Sequence, residues 1–271
     1  MTRKSPKFGA WALVTGANSG IGAGFTRQLA KEGYNIVLVG RREQALQQAS
    51  AELRQAYPVE TREIVVDLSQ DGFLSQIEAQ TRDLDLGVLV SNAGDAAMGA
   101  LLKVDLAKLT QMLRLNTQTH LELVHHFGRR FAARGRGGIV LVSSTAGLQG
   151  TPYSGNYAGA KAYLLNLGMA LNYEMRGTGV NVSVVVPGPT DTPGLNDKPS
   201  IPLATLPAPK MKPEAVAKVG LKALRRNQPF VVAGVVNRIM DRVGTMLGKT
   251  GARNMWGLLI RGIVPRELKM R

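Results

Sequence analysis

From Trp11 to Val186 the chain alternates short runs rich in Val, Leu and Ile with longer stretches in which apolar residues recur every three or four positions. Several of the short runs are almost unbroken in apolar residues, as in strands covered on both faces, and the longer ones read as amphipathic helices, so the alternation predicts βαβ units feeding one parallel sheet. Strands are predicted at Trp11–Thr15, Asn35–Val39, Glu63–Val66, Leu86–Val90, Ile139–Val142 and Val180–Val186. A seventh follows at Phe230–Val232, after a helix that Pro213 opens and that runs through Val216, Val219 and Ala223. Lys212, before that helix, is not the Ser or Thr expected of a cap. Thr190 to Lys212 is rich in Pro, Thr and Ser without a period and reads as a long surface loop, a kind that usually carries function. Beyond Gly234, Val236, Ile239, Val243 and Leu247 form one helical stripe and Met255, Trp256, Leu259, Ile260 and Ile263 another.

At 271 residues and 44% hydrophobic content the chain can bury a sizeable core within one α/β domain. It has no cysteine, which excludes disulfides, thiolate metal sites and cysteine catalysis. The basic start, Met1 to Lys7, leads into a strand without a long apolar segment, and no stretch approaches the ~20 apolar residues of a bilayer span. A cytoplasmic protein without a secretory signal is therefore expected. The formal charge of +15 favours anionic partners without choosing among them, and a solubilising surface is its simplest meaning.

Chemistry enters at Thr15-Gly16-Ala17-Asn18-Ser19-Gly20-Ile21-Gly22, which joins the first strand to a helix continuing through Phe25, Leu29 and Ala30. Gly16 permits a sharp turn, Gly20 and Gly22 admit a pyrophosphate and close packing, and the helix N-terminus offers N–H groups and a positive dipole end. NAD sites usually carry an acid after the second strand, for the ribose 2′-hydroxyl, but Gly40-Arg41-Arg42 stands there instead and suits a 2′-phosphate. Further along, Tyr157 and Lys161 share one helix face, and a nearby ammonium favours the phenolate, which would make Tyr157 a general acid or base. Ser144 closes the fifth predicted strand, at the sheet end where open α/β folds bind ligands.

On these motifs the chain resembles the short-chain dehydrogenase/reductase family from Trp11 to about Thr192. The family's Thr-Gly-x-x-x-Gly-x-Gly motif lies at Thr15 to Gly22, and its Asn-Ala-Gly motif at Asn92-Ala93-Gly94. The resemblance implies a Rossmann fold, a doubly wound parallel sheet of about seven strands with a helical C-terminal extension. Residues 8–192 would form the cofactor-binding and catalytic core, 190–212 a substrate loop, and 213–271 a helix, the last strand and the basic extension. It further implies a tetrad of Asn116, Ser144, Tyr157 and Lys161, an adenine contact through Asp67 and the following Leu68, and a carboxamide site at Pro187-Gly188 with Thr190 and Thr192. The implied cofactor is NADP(H), with Asn18, Ser19 and Ile21 completing the phosphate turn. The preference rests on Arg41 and Arg42, because Ser19 occupies the place where NADP(H)-preferring members often carry a basic residue. In the implied reaction Tyr157 protonates the alkoxide, Ser144 polarises the carbonyl, Lys161 holds the ribose and lowers the Tyr157 pKa, and Asn116 anchors a water. No metal takes part.

The expected activity is carbonyl reduction, or the reverse, on an apolar ketone or aldehyde. A 3-oxoacyl-thioester reductase is the enzymatic alternative, and a nucleotide-binding regulator or scaffold the non-enzymatic one. The resemblance implies a homodimer or homotetramer, and nucleic acid is not an expected partner. His120, His125 and His126 read as surface or boundary residues, and Arg129, Arg130, Arg134 and Arg136 first as a solvated basic face and second as a contact for an anionic partner. The tail sets Lys249, Arg253, Arg261, Arg266, Lys269 and Arg271 around Trp256, Leu259, Ile260 and Ile263. Packing on the core is its first reading; a cap on the cleft, a subunit interface or contact with an anionic membrane are the others. Residues 190–212, with part of the tail, are expected to cover an apolar cleft, and Ile201, Pro202, Leu203, Leu206 and Met211 supply the apolar contacts.

Overall fold

The computed structural model describes residues 6–193 and 210–270. Seven parallel strands form one sheet in the order β3-β2-β1-β4-β5-β6-β7. They are β1 (Trp11–Thr15), β2 (Asn35–Gly40), β3 (Thr61–Val65), β4 (Leu86–Ser91), β5 (Gly137–Val142), β6 (Val180–Val186) and β7 (Phe230–Val232). The chain reverses its direction across the sheet between β1 and β4, and such a switch point opens a crevice at the C-terminal strand ends.

Alternate residues of each central strand feed opposite cores. Trp11, Leu13, Val37 and Val39 join one apolar cluster, while Ala12, Val14, Ile36 and Leu38 join the other. The first is covered by α3 (Phe73–Ala79), α5 (Gln118–Ala133) and α6 (Gly155–Glu174), through Ile77, Phe127 and Leu164 among others. The second is covered by α1 (Gly20–Lys31), α2 (Glu43–Ala56) and α7 (Pro213–Arg225), through Phe25, Leu46 and Val216. Burial on both faces is why the central strands are continuously apolar in sequence.

β2 and β4 each run one residue further than the sequence reading, to Gly40 and Ser91, and two strands differ by more. β3 covers Thr61–Val65 instead of Glu63–Val66, because an edge strand with one half-solvated face accommodates Thr61 and Arg62. β5 starts at Gly137, two residues early, since the helix packs so close that a Cβ there would lie 2.5 Å from Phe131. The helix after Pro213 forms although Lys212 provides no side-chain cap; Glu214 in its first turn pairs with Arg27 of α1.

Between β4 and β5 lie α4 (Leu106–Asn116) and α5, and after β7 come α8 (Val235–Met246) and α9 (Gly248–Arg261). A third, smaller cluster joins Ile260 and Val264 to Met98, with Tyr153 and Trp256 against it, so the end of the chain packs on the segment after β4. The Ala100 amide donates to the Leu268 carbonyl at 2.8 Å and secures that contact. The basic run at the end of α5 is only partly a solvated face: Arg129 is exposed, but the other three arginines are engaged. Arg130 donates to the Thr81 and Leu84 carbonyls, while Arg134 and Arg136 converge on Asp85 just before β4.

Candidate active site

The turn from β1 to α1 lies at the switch point. Gly16 and Gly20 have φ of 64° and 53°, and a Cβ on Gly22 would sit 2.0 Å from the Gly16 carbonyl oxygen, so turn and helix meet at a distance only glycine allows. Ser19 is the N-cap of α1 but makes no side-chain cap bond, and the first turn, Ile21 included, carries no acid. The helix therefore presents its N-terminal N–H groups to an anion. Asn18 projects beneath Gly40, and its Nδ2 is buried without a hydrogen-bond partner. An orphaned donor beside a glycine cradle fits a ligand that supplies an acceptor.

Thr15 holds this turn to the end of β4. Its hydroxyl accepts from the Asn92 and Ala93 amides at 2.9 and 3.0 Å, and Asn92 Nδ2 donates to the Thr15 carbonyl at 2.8 Å. Arg41 and Arg42 are exposed after β2, with the Arg41 guanidinium 3.8 Å from Asp67. The Asp67 carboxylate also accepts from the Ser69 amide and hydroxyl, and these bonds together with Arg41 outweigh its desolvation and hold its pKa below the usual range. The Leu68 side chain is core, so only its backbone can face a ligand. After β6, Pro187, Gly188, Thr190 and Thr192 bend back over the cradle, where Thr192 lies against Gly20 and the Thr190 hydroxyl donates to the Gly188 carbonyl at 2.9 Å. Met211 closes this segment through bonds to Pro189 and Asp191. Residues 194–209, with the expected contacts of Ile201, Pro202, Leu203 and Leu206, lie outside the described residues.

Asn116, Ser144, Tyr157 and Lys161 converge beside the cradle. Asn116 stands where α4 ends and α5 begins, and its Nδ2 donates to the carbonyls of Asp95 and Met112 at 2.7 and 2.9 Å. Its Oδ1 is buried and unpartnered. A Cβ on Gly94 would lie 2.5 Å from that oxygen and 3.4 Å from Lys161 Nζ, so the Asn-Ala-Gly turn is what lets the two side chains approach. Lys161 is buried and donates to the Val142 carbonyl at 3.1 Å. The Ser144 hydroxyl stands beside Tyr157 and accepts from the Ala146 amide at 3.2 Å.

The electrostatics differ from the sequence expectation. Burial raises the Tyr157 pKa, the Ser144 hydroxyl opposing it and Asp95 adding to it, so desolvation prevails over any help from the ammonium 5.6 Å from the ring centroid. The phenol is thus held protonated, as a proton donor must be. Burial lowers Lys161 to about 8.

His120 is not a surface residue. It is fully buried, with Nδ1 2.7 Å from the Ser91 hydroxyl and Nε2 2.9 Å from the Ala93 carbonyl. A carbonyl only accepts, so Nε2 carries the proton and Ser91 donates to Nδ1. Burial, aided by Lys161, pushes the ring down to about 3. His120 thus fixes the turn that spaces Asn116 from Lys161. Asn237 was also missed by sequence reasoning: it lies so close to Gly188 that a Cβ there would sit 2.2 Å from its Oδ1, and its Nδ2 donates to the Ala233 carbonyl at 2.6 Å. No motif marks either residue; they are legible only once α5 and α8 are placed.

A phosphate cradle at the switch point of a parallel sheet, with a Ser-Tyr-Lys cluster beside it, defines a nucleotide-dependent oxidoreductase acting on hydroxyl and carbonyl groups. The chain belongs to the short chain dehydrogenase family, whose model matches residues 10–200. It is 37% identical to a 7β-hydroxysteroid dehydrogenase of Clostridium sardiniense, over 86% of this chain and 88% of that protein. A solved structure from work on 7β-hydroxysteroid dehydrogenase stereoselectivity superposes with a TM-score of 0.84 at 32% identity, covering 93% of this chain and 98% of the other. A short-chain dehydrogenase of Sphingobium yanoikuyae in complex with NADPH superposes with a TM-score of 0.77 at 28% identity, covering 87% and 92%.

Proposed function

We propose that this chain is an NADP(H)-dependent dehydrogenase that interconverts a secondary alcohol and a ketone on an apolar ring system, a hydroxysteroid in the first instance. The carrying observation is the convergence of Ser144, Tyr157 and buried Lys161, whose Nζ lies 5.6 Å from the Tyr157 ring centroid, at the strand ends that also hold the glycine cradle. The steroid assignment is supported by the hydroxysteroid dehydrogenase relatives, which match most of the chain. An apolar substrate also suits a hollow of about 140 Å³ that opens just before Tyr157, lined by Ala97, Leu101, Val104, Leu109, Pro152 and Tyr153 among others.

The turn formed by Gly16, Asn18, Ser19, Gly20, Ile21 and Gly22 would hold the pyrophosphate, Arg41 and Arg42 the 2′-phosphate, and Asp67 with the Leu68 backbone the adenine. Asn92, Ala93 and Gly94 would face the adenosine half, and Pro187, Gly188, Thr190 and Thr192 the carboxamide. When bound, the nicotinamide supplies or accepts the hydride. Ser144 Oγ hydrogen-bonds the carbonyl oxygen, and Tyr157 Oη donates its proton to that oxygen as charge develops, a step worth typically ~10²–10⁴-fold. The Lys161 ammonium, charged below about pH 8, holds the ribose hydroxyls and offsets the negative charge left on Tyr157. The buried, unpartnered Asn116 Oδ1 would accept a hydrogen bond from a water, and that water would carry the proton onward.

A cytoplasmic location and a homo-oligomer are part of the same reading, the oligomer supported by Tyr163, Met169 and Tyr173, side chains exposed on α6. The test follows nicotinamide absorbance while the enzyme is offered 7-oxo- and 7β-hydroxysteroids, simple ketones and 3-oxoacyl thioesters with NADP(H). Turnover of steroids well above the thioesters is expected. Turnover of thioesters alone would replace the proposed substrate, and none with any carbonyl or alcohol would leave a nucleotide-binding regulator.

A further inference from the structure

We infer that α8, together with the basic residues around it, is a docking surface for an anionic lipid bilayer. The sequence favours a tail packed on the core, and α9 does pack: Ala252 and Ile260 are buried. α8 does not, for none of its residues is buried. Val235, Val236, Ile239, Val243, Met246 and Leu247 are all exposed, Met246 by 87%. At ~100° per residue these six fall within an arc of about 120°. Asn237, Met240 and Gly244, which turn towards the protein, lie outside that arc. Leu258 and Leu259 add exposed apolar surface on α9. An amphipathic helix ordinarily spends its apolar arc on the core, so one left facing outward marks a contact made elsewhere.

The charges select the occupant. Arg238 and Arg242 border the arc on one side, and Lys249, Arg253 and Arg261 follow on α9; all five are exposed. None is ion-paired with another described residue, whereas Arg27, Arg54, Arg62, Arg114, Arg134 and Arg225 in the body of the protein each meet an acid. Asp241 is the only acid in α8 and α9. Two copies joined face to face through this surface would set cation against cation, while an anionic headgroup layer neutralises the basic rim and receives the apolar arc. No helix among the described residues is long and apolar enough to cross a membrane, so the contact is peripheral.

Flotation of the full-length protein with phosphatidylcholine vesicles, and with vesicles carrying three parts in ten phosphatidylglycerol, tests the inference. Binding to the anionic vesicles should exceed binding to the neutral ones by at least ~10-fold and weaken as salt rises. A variant with Ile239→Ser, Val243→Ser and Met246→Ser, and a second with Arg238→Gln, Arg242→Gln and Lys249→Gln, should each lose most of that binding while melting near the parent temperature. Because the substituted side chains face outward, neither variant removes core contacts. Absence of vesicle binding by the parent would overturn the inference, as would binding that both variants retain. A parent dimer that the serine variant converts to monomer, without vesicle binding by either, would assign the face to a second copy instead.

Discussion

Replacing His120 by Leu removes a ring whose two nitrogens are both used and leaves the Ser91 hydroxyl and the Ala93 carbonyl without their partner. A buried polar group stripped of its partner costs about 1–3 kcal/mol; Ser91 is fully buried and Ala93 half-buried, so a loss of roughly 2–4 kcal/mol is expected at pH 7. The cost depends on pH with a definite sign. The folded-state pKa of about 3 lies below the ordinary 6.5, so between those values the unfolded chain binds more protons and the parent loses stability as pH falls. From pH 7 to pH 5 that loss is about 2 kcal/mol, and the Leu variant escapes it. Urea unfolding of both proteins at the two pH values should therefore show the destabilisation shrinking by about 2 kcal/mol at pH 5. A difference below ~1 kcal/mol at pH 7, or one unchanged at pH 5, would refute the buried neutral histidine.

Two further outcomes follow from the site. Arg41→Ala, which removes an exposed guanidinium after β2, should raise the KM for NADPH by at least ~10-fold and that for NADH little, a split read from steady-state kinetics with both cofactors. Because burial lowers Lys161 to about 8, its charge is present below that pH and lost above it, so kcat/KM for ketone reduction should fall on the alkaline side with a midpoint near 8 in a pH profile; a plateau extending beyond ~10 would contradict the burial argument.

Much of this was legible in the chain because the physics is local or periodic. β6 and β7 begin and end where the apolar runs do, and the cradle and the Tyr157–Lys161 spacing are written in contiguous residues. What escaped was set by neighbours distant in sequence. β5 opens with Gly137 because of Phe131 packed above it, and β3 gains Thr61 because it is an edge. The Tyr157 pKa follows burial, a property of the assembled cleft, whereas the sequence shows only the nearby lysine. His120 looked like a surface residue because its partners, Ser91 and Ala93, belong to another element. Arg130 and Arg134 looked solvated because their acceptors lie in the approach to β4.

The central claim is that Tyr157 delivers the proton while other residues bind the cofactor, and a paired measurement on Tyr157→Phe tests it most directly. Fluorescence titration should give an NADPH affinity within ~3-fold of the parent, and turnover of the best ketone should fall by at least ~10²-fold, because the interaction lost belongs to the transition state. A variant that binds NADPH as the parent does and keeps its kcat would contradict the account and move proton delivery to another group.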